Sequence, residues 1–193
     1  MLRGLYDWTM RLAGHRRANW ALAFVSFVES SVFPIPPDIV LIPMVLAQRK
    51  RALWIATICT VASVLGGLLG YAIGYFLYET IGRPILDFYG YGARFEDFQQ
   101  RYNEWGGWIV FIAGVTPFPY KVITIASGVT VLNPWIFIVA SVLARGLRFY
   151  VVALLLYYFG EPIREFIERY LGVLFTLFVI LLFAGFVVLK FLV

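Results

Sequence analysis

Charge is scarce in this chain. Acidic and basic residues make up 14% of its 193 positions, where a soluble domain carries about 25%. That shortage excludes a separate water-soluble domain, since 62% of the residues are hydrophobic and 19% aromatic, more than an aqueous surface hides. There is one cysteine, Cys59, inside an apolar run. An intrachain disulfide and a thiolate metal cluster are thereby excluded, and the redox compartment stays open. There is one histidine, His15, which reads as a solvated residue of a polar helix face. No metal-ligand spacing, P-loop, Gly-x-Ser-x-Gly elbow or nucleotide-binding glycine pattern occurs. Neither a metal nor a cofactor is therefore expected, and without a nucleophile–base constellation the chain does not read as an enzyme. The net charge of +5 is not gathered in an aromatic-interleaved patch, so nucleic acid is not an expected partner. Basic loops beside membrane spans explain it more simply.

What is present is a set of apolar runs broken in a regular way. Residues 1–18 carry Arg3, Asp7, Arg11 and His15 at every fourth position, the pattern of a helix lying in the membrane interface; with no apolar core in that stretch, a cleavable signal peptide is not expected. Residues 20–47 form two apolar arms around Pro34-Ile-Pro36-Pro37-Asp38. As helices the arms reach ~21 and ~13 Å, short of a ~30 Å hydrocarbon core, and the prolines remove backbone donors at the junction. This reads as a re-entrant hairpin. Residues 52–78 are long enough to span, and their Gly66-x-x-x-Gly70-x-x-x-Gly74 ladder admits another helix closely.

The pattern then repeats. An interfacial helix is expected over 83–105, a second hairpin over 108–132 around Pro117-Phe-Pro119-Tyr120-Lys121, and a span over 135–159. Each half ends in Gly-x-Pro, at Gly82–Pro84 and Gly160–Pro162. A last span is expected over 171–193. The fold class is thus an all-α polytopic membrane protein in one domain. One span separates the hairpins, so they enter from opposite faces, an inverted repeat of the kind that forms sites at the midplane. Lys and Arg gather beside the N-terminus, in the Arg49–Arg51 loop and in the 160–170 loop. Those segments are expected in the cytoplasm and the acidic loop between the halves outside, as in a bacterial-type cytoplasmic (inner) membrane.

Five charged residues fall at depth: Glu29, Asp38, Lys121, Arg145 and Arg148. Each arginine near a helix centre costs ~2.5–3.5 kcal/mol, against a return of ~0.3–0.6 from each large apolar residue. Two arginines leave the insertion of 135–159 marginal, so they must face partners or water inside the bundle. Arg145 and Arg148 are three apart and share a face. One reading is a structural ion cluster locking the halves together in a membrane organising protein. The other is a transport pathway, with Lys121, Arg145 and Arg148 binding an anion such as a phosphate headgroup. Glu29 and Asp38 are then its proton-coupling candidates, because a carboxylate held out of water takes up a proton more readily. A small-ion transporter is a third reading, and a homo-oligomer is left open.

Several stretches resemble the DedA superfamily, also called the SNARE-associated or VTT-domain family, and within it the YqaA-like branch. They are Glu29-Ser-Ser-x-x-Pro34-x-Pro36-Pro37-Asp38, the Gly66–Gly74 run, Gly114-x-Thr116-Pro117-Phe-Pro119-Tyr120-Lys121 with Ser127-Gly128, and Arg145-Gly-Leu-Arg148-Phe-Tyr. The resemblance covers about residues 20–160. It implies two re-entrant loops meeting in the membrane and a role in moving lipids between leaflets: a flippase or scramblase of polyprenyl phosphate or phospholipid, linked to protons. Acidic residues of the first hairpin and two arginines around the second are required in bacterial members. Glu29 and Asp38 match the acidic positions, with a shorter spacing between them. The second hairpin departs from the family's Arg-x-x-Pro-x-x-Arg: Gly114 or Thr116 stands at the first arginine and Lys121 lies near the second, so Arg145 and Arg148 are the candidates for the cationic role.

Overall fold

The computed structural model describes residues 18–32, 36–116, 118–160 and 162. They are helical with short turns, and no strand occurs among them. The expected interfacial helix (apart from Ala18), Pro34, Pro117 and the last span lie outside the described residues.

Helix α1 is Ala18–Ser31 and α2 is Asp38–Ala47. Pro37 stands before α2 at φ −65°, the angle its ring imposes, and its missing N–H is one that a first turn leaves unpaired anyway. The basic turn Arg49–Arg51 leads into α3, Ala52–Leu77. A π-helical turn, Tyr78–Gly82, joins α3 to α4, Arg83–Phe88. The helical rod therefore runs ten residues past the expected end at 78. Arg83 and Glu79 pair at 3.7 Å along it, and the Tyr78 ring stacks on Phe95 at 4.9 Å. Then follow α5, Gly92–Val115, α6, Tyr120–Val129, and α7, Pro134–Gly160.

The second half differs from expectation at its start. The chain turns at Gly90, φ +69°, which splits the 83–105 segment in two. It does not break at Gly106-Gly107, so α5 carries the interfacial stretch and the first hairpin arm as one helix. The reason is packing. The Leu132 side chain lies where a Cβ of Gly106 would be, and Ile136 crowds Gly107. These glycines answer to neighbours rather than to a turn.

Two stretches, Arg49–Phe88 containing α3 and Pro134–Gly160 forming α7, are long and apolar enough to cross a membrane. α3 and α7 are antiparallel. Thr57 meets Tyr150 at 2.7 Å, Ser63 meets Arg145 at 2.6 Å and the Tyr71 ring meets Phe137 at 5.3 Å. Helix α1 lies parallel to α3, joined by Ser26–Cys59 at 3.0 Å and Ser30–Ser63 at 2.7 Å, each pair 33 residues apart. Helix α5 lies parallel to α7, with Gly107 against Ile136 and Gly114 against Ala144.

The glycine ladder of α3 admits two helices. Gly66 touches the Phe27 backbone of α1, Gly74 touches the Ile125 backbone of α6, and Gly70 lies between Ser30 O and Thr124. Around this crossing are two apolar clusters. One joins α1, α2, the start of α3 and the end of α7 through Leu22, Leu41, Ile55, Phe149 and Leu156. The other joins α5, α6 and the start of α7 through Val110, Ile123 and Phe137. Buried hydroxyls and one fully buried arginine, Arg145, lie where the two meet.

Candidate functional site

The site is built by two helix breaks facing each other. Pro36 and Pro119 stand two places and one place before α2 and α6, and their carbonyls take the first returning amides, Ile39 N at 3.2 Å and Val122 N at 3.1 Å. Each break also leaves the carbonyls of the preceding helix end without intrahelical donors, and side chains of α6 and α7 supply them. Lys121 Nζ donates to Val32 O at 3.2 Å, and Thr124 Oγ1 lies 3.1 Å from Ser30 O and 2.9 Å from Lys121 O. At the end of α5, Arg148 Nη1 donates to Thr116 O at 2.8 Å. Cationic donors at helix C-termini also suit the helix dipole.

The charged residues divide into two ion pairs and one lone cation. Arg145 Nη2 meets Glu29 Oε2 at 2.5 Å, with side chains 2% and 13% exposed. Arg148 Nη2 meets Asp38 Oδ2 at 2.6 Å, 17% and 21% exposed. The first pair is sealed and the second opens to the surroundings. The Arg145 head is held further by Nε donating to Ser63 Oγ at 2.6 Å and Nη2 to Ser30 Oγ at 3.4 Å. It also lies against the rings of Tyr120 and Phe149, 4.7 and 4.8 Å from their centroids, a contact that stabilises a desolvated cation. Tyr120 is itself anchored by donating to Ser141 Oγ at 2.5 Å. Lys121 has no carboxylate within salt-bridge distance among the described residues.

Of the five charges expected at depth, Glu29, Arg145 and Lys121 are linked through Ser30 and Thr124, and Arg148, paired with Asp38, stands three residues along α7 from Arg145. The three bases differ in availability: Arg145 is engaged and buried, Arg148 is engaged but accessible, and Lys121 holds only a carbonyl. Ser63, the hydroxyl beneath Arg145, is absent from the expected set. Its sequence signal is position, since Ser63 shares the helix face of Gly66, Gly70 and Gly74. Among the described residues no group of three His, Cys, Asp or Glu side chains could hold a metal ion.

The family model of the VTT domain matches residues 35–158, from the first proline turn to the end of α7. The chain belongs to the VTT-domain family. Two curated relatives are similar to this VTT-domain protein. An uncharacterised protein of Haemophilus influenzae is 36% identical over 186 residues, 96% of each chain. An uncharacterised protein of Histophilus somni is 37% identical over 157 residues, 81% of this chain and 82% of the relative. No solved structure matches the chain. Family membership and the long apolar helices together make this a membrane protein.

Proposed function

We propose that this VTT-domain protein is a lipid transporter of the cytoplasmic membrane: a flippase or scramblase for a lipid with an anionic phosphate headgroup, such as a polyprenyl phosphate or a phospholipid. The observation that carries the reading is the imbalance of charge at the facing helix breaks. Both carboxylates are used by the two arginines, and among the described residues Lys121 remains as a surplus cation in the first turn of α6, a helix end with no acidic residue and no side-chain cap. A lysine at a helix N-terminus has the wrong sign for the dipole. An anion would satisfy Lys121, the α6 amides and the accessible Arg148 together, as half-helix N-termini do in transporters.

The parallel pairs α1–α3 and α5–α7, set on antiparallel α3 and α7, support a re-entrant inverted repeat with hairpins opening to opposite faces. In this reading Asp38 and Lys121 are equivalent positions, and the Ser63–Arg145 contact lies close to the pseudo-two-fold axis. Arg145 with Glu29 then holds the halves together, while Arg148 exchanges Asp38 for the headgroup, and Glu29 and Asp38 are the proton carriers. We read the chain as a transporter rather than an enzyme. The test is leaflet-resolved lipid movement in vesicles containing only this protein, with and without a pH gradient. Movement above protein-free vesicles, dependent on Lys121 and Arg148, is expected; absence of movement for every anionic lipid tried refutes the reading. The full engagement of Arg145 favours a second reading, a membrane organising protein with a structural ion cluster, in which Lys121 variants leave function unchanged.

A further inference from the structure

Ser63 is a fully buried hydroxyl midway along α3. Its oxygen accepts Arg145 Nε–H at 2.6 Å and shares a 2.7 Å bond with Ser30 Oγ, which in turn lies 3.1 Å from Glu29 Oε2. The direction of each bond follows from chemistry. A guanidinium only donates and an ionised carboxylate only accepts. Ser63 therefore gives its single proton to Ser30, and Ser30 gives its own to Glu29. With Arg145 Nη2 on Glu29, the four side chains close a ring across α1, α3 and α7 in which both hydroxyl protons are committed.

The ring fixes one degree of freedom. A guanidinium offers a carboxylate several edges, and the flanking Tyr120 and Phe149 rings hold its plane without choosing among them. The acceptor on Nε makes the choice: Ser63 takes that edge, so Nη2 alone meets Glu29. Removing the hydroxyl leaves a buried N–H without an acceptor, a state proteins avoid by moving the group. One helical turn along α7 lies the second pair, Arg148 with Asp38.

We propose that Ser63, seconded by Ser30, is a positioning residue that keeps the Arg145 head on Glu29 and away from the headgroup site at Arg148 and Lys121. This rests on the lipid-transport reading. A released Arg145 competes for the anion and retains it, so turnover falls while lipid affinity rises.

The test uses the full chain in lipid nanodiscs and in vesicles of phosphatidylglycerol and neutral lipid. In nanodiscs the Arg145 Nε–H resonance, assigned by its loss in Arg145→Lys, reports the ring directly. Wild type is expected to show a solvent-protected signal, Ser63→Ala to lose that protection, and Ser63→Thr, which keeps the hydroxyl, to regain it. In vesicles Ser63→Ala is expected to move lipid at least tenfold more slowly with a lower half-saturating lipid fraction. Ser30→Ala is expected to fall between it and wild type, and melting temperatures to stay within a few degrees. The proposal is overturned if Ser63→Ala keeps the protected signal, if it moves lipid at the wild-type rate, or if its activity falls only together with its melting temperature. Should wild type move no lipid, the transport reading falls with it; the resonance alone then decides whether Ser63 positions Arg145.

Discussion

Asp38 and Lys121 each stand two residues after the second proline of a Pro-x-Pro turn, yet among the described residues only Asp38 has a countercharge. Asp38 holds Arg148 at 2.6 Å, whereas Lys121 reaches the Val32 carbonyl at 3.2 Å. In a medium of low dielectric such a difference between equivalent positions creates a local field, and an anion is the natural complement.

Lys121→Gln is expected to lower lipid movement at least tenfold with little change in melting temperature, because the side chain carries only one exposed hydrogen bond. Lys121→Arg keeps the charge and is expected to retain most activity. Leaflet-resolved lipid quenching measures both. Equal activity in Lys121→Gln and wild type refutes the anion site.

Glu29→Ala removes the acceptor of a sealed pair and strands the Arg145 charge, a change that costs about 3–5 kcal/mol in buried pairs. Glu29→Gln preserves volume and one acceptor oxygen, so thermal unfolding is expected to rank wild type first, Glu29→Gln second and Glu29→Ala last. If Glu29 carries protons, the Gln variant also loses the pH dependence of transport and keeps passive movement. An unchanged pH–activity profile leaves Asp38 as the candidate.

Gly66→Ala, Gly74→Ala and Gly128→Ala each add a methyl against a neighbouring helix backbone, at Phe27, Ile125 and Tyr71 respectively. Backbone cannot step aside as a side-chain tip can, so each is expected to lose about 1–3 kcal/mol. Gly146→Ala, with only the Thr60 methyl at 3.9 Å, is the control and is expected to be neutral. Denaturation in detergent micelles tests the ranking.

The proposed topology makes the Arg49–Arg51 turn cytoplasmic and the 90–104 segment external. Single cysteines placed there in a Cys59→Ser background are expected to react with an impermeant reagent from outside only in the second segment. Equal labelling of both defeats the inverted repeat.

Much of this arrangement is legible in the sequence, because proline turns, run lengths and charges at depth have few meanings inside a membrane. Pro36 and Pro119 precede the returning helices, the Gly66–Gly74 face is where backbones meet, and Glu29, Asp38, Arg145 and Arg148 come together. The pairing is not legible: nothing in spacing says that Arg145 takes Glu29 and Arg148 takes Asp38, since that depends on the register of antiparallel helices. Gly106-Gly107 misleads for a related reason. Helix propensity marks it as a break, and only the packed Leu132 side chain reveals that the missing Cβ serves contact. Ser63 is overlooked because one serine in an apolar helix commonly bonds its own backbone.

The supply of donors to the two helix breaks from α6 and α7 bears on how the protein is made. Val32 O and Ser30 O at the end of α1 wait on Lys121 and Thr124, and Thr116 O at the end of α5 waits on Arg148. In the proposed re-entrant arrangement these carbonyls lie inside lipid, where no water stands in for the donors. During synthesis the first hairpin therefore emerges some ninety residues before its partners exist. Until they arrive, its open end has to stay in a hydrated place such as the insertion machinery or the bilayer surface. On that arrangement, insertion of the first half and completion of the second form one event, and a chain truncated before α6 is expected to lack a stable resting state in the bilayer.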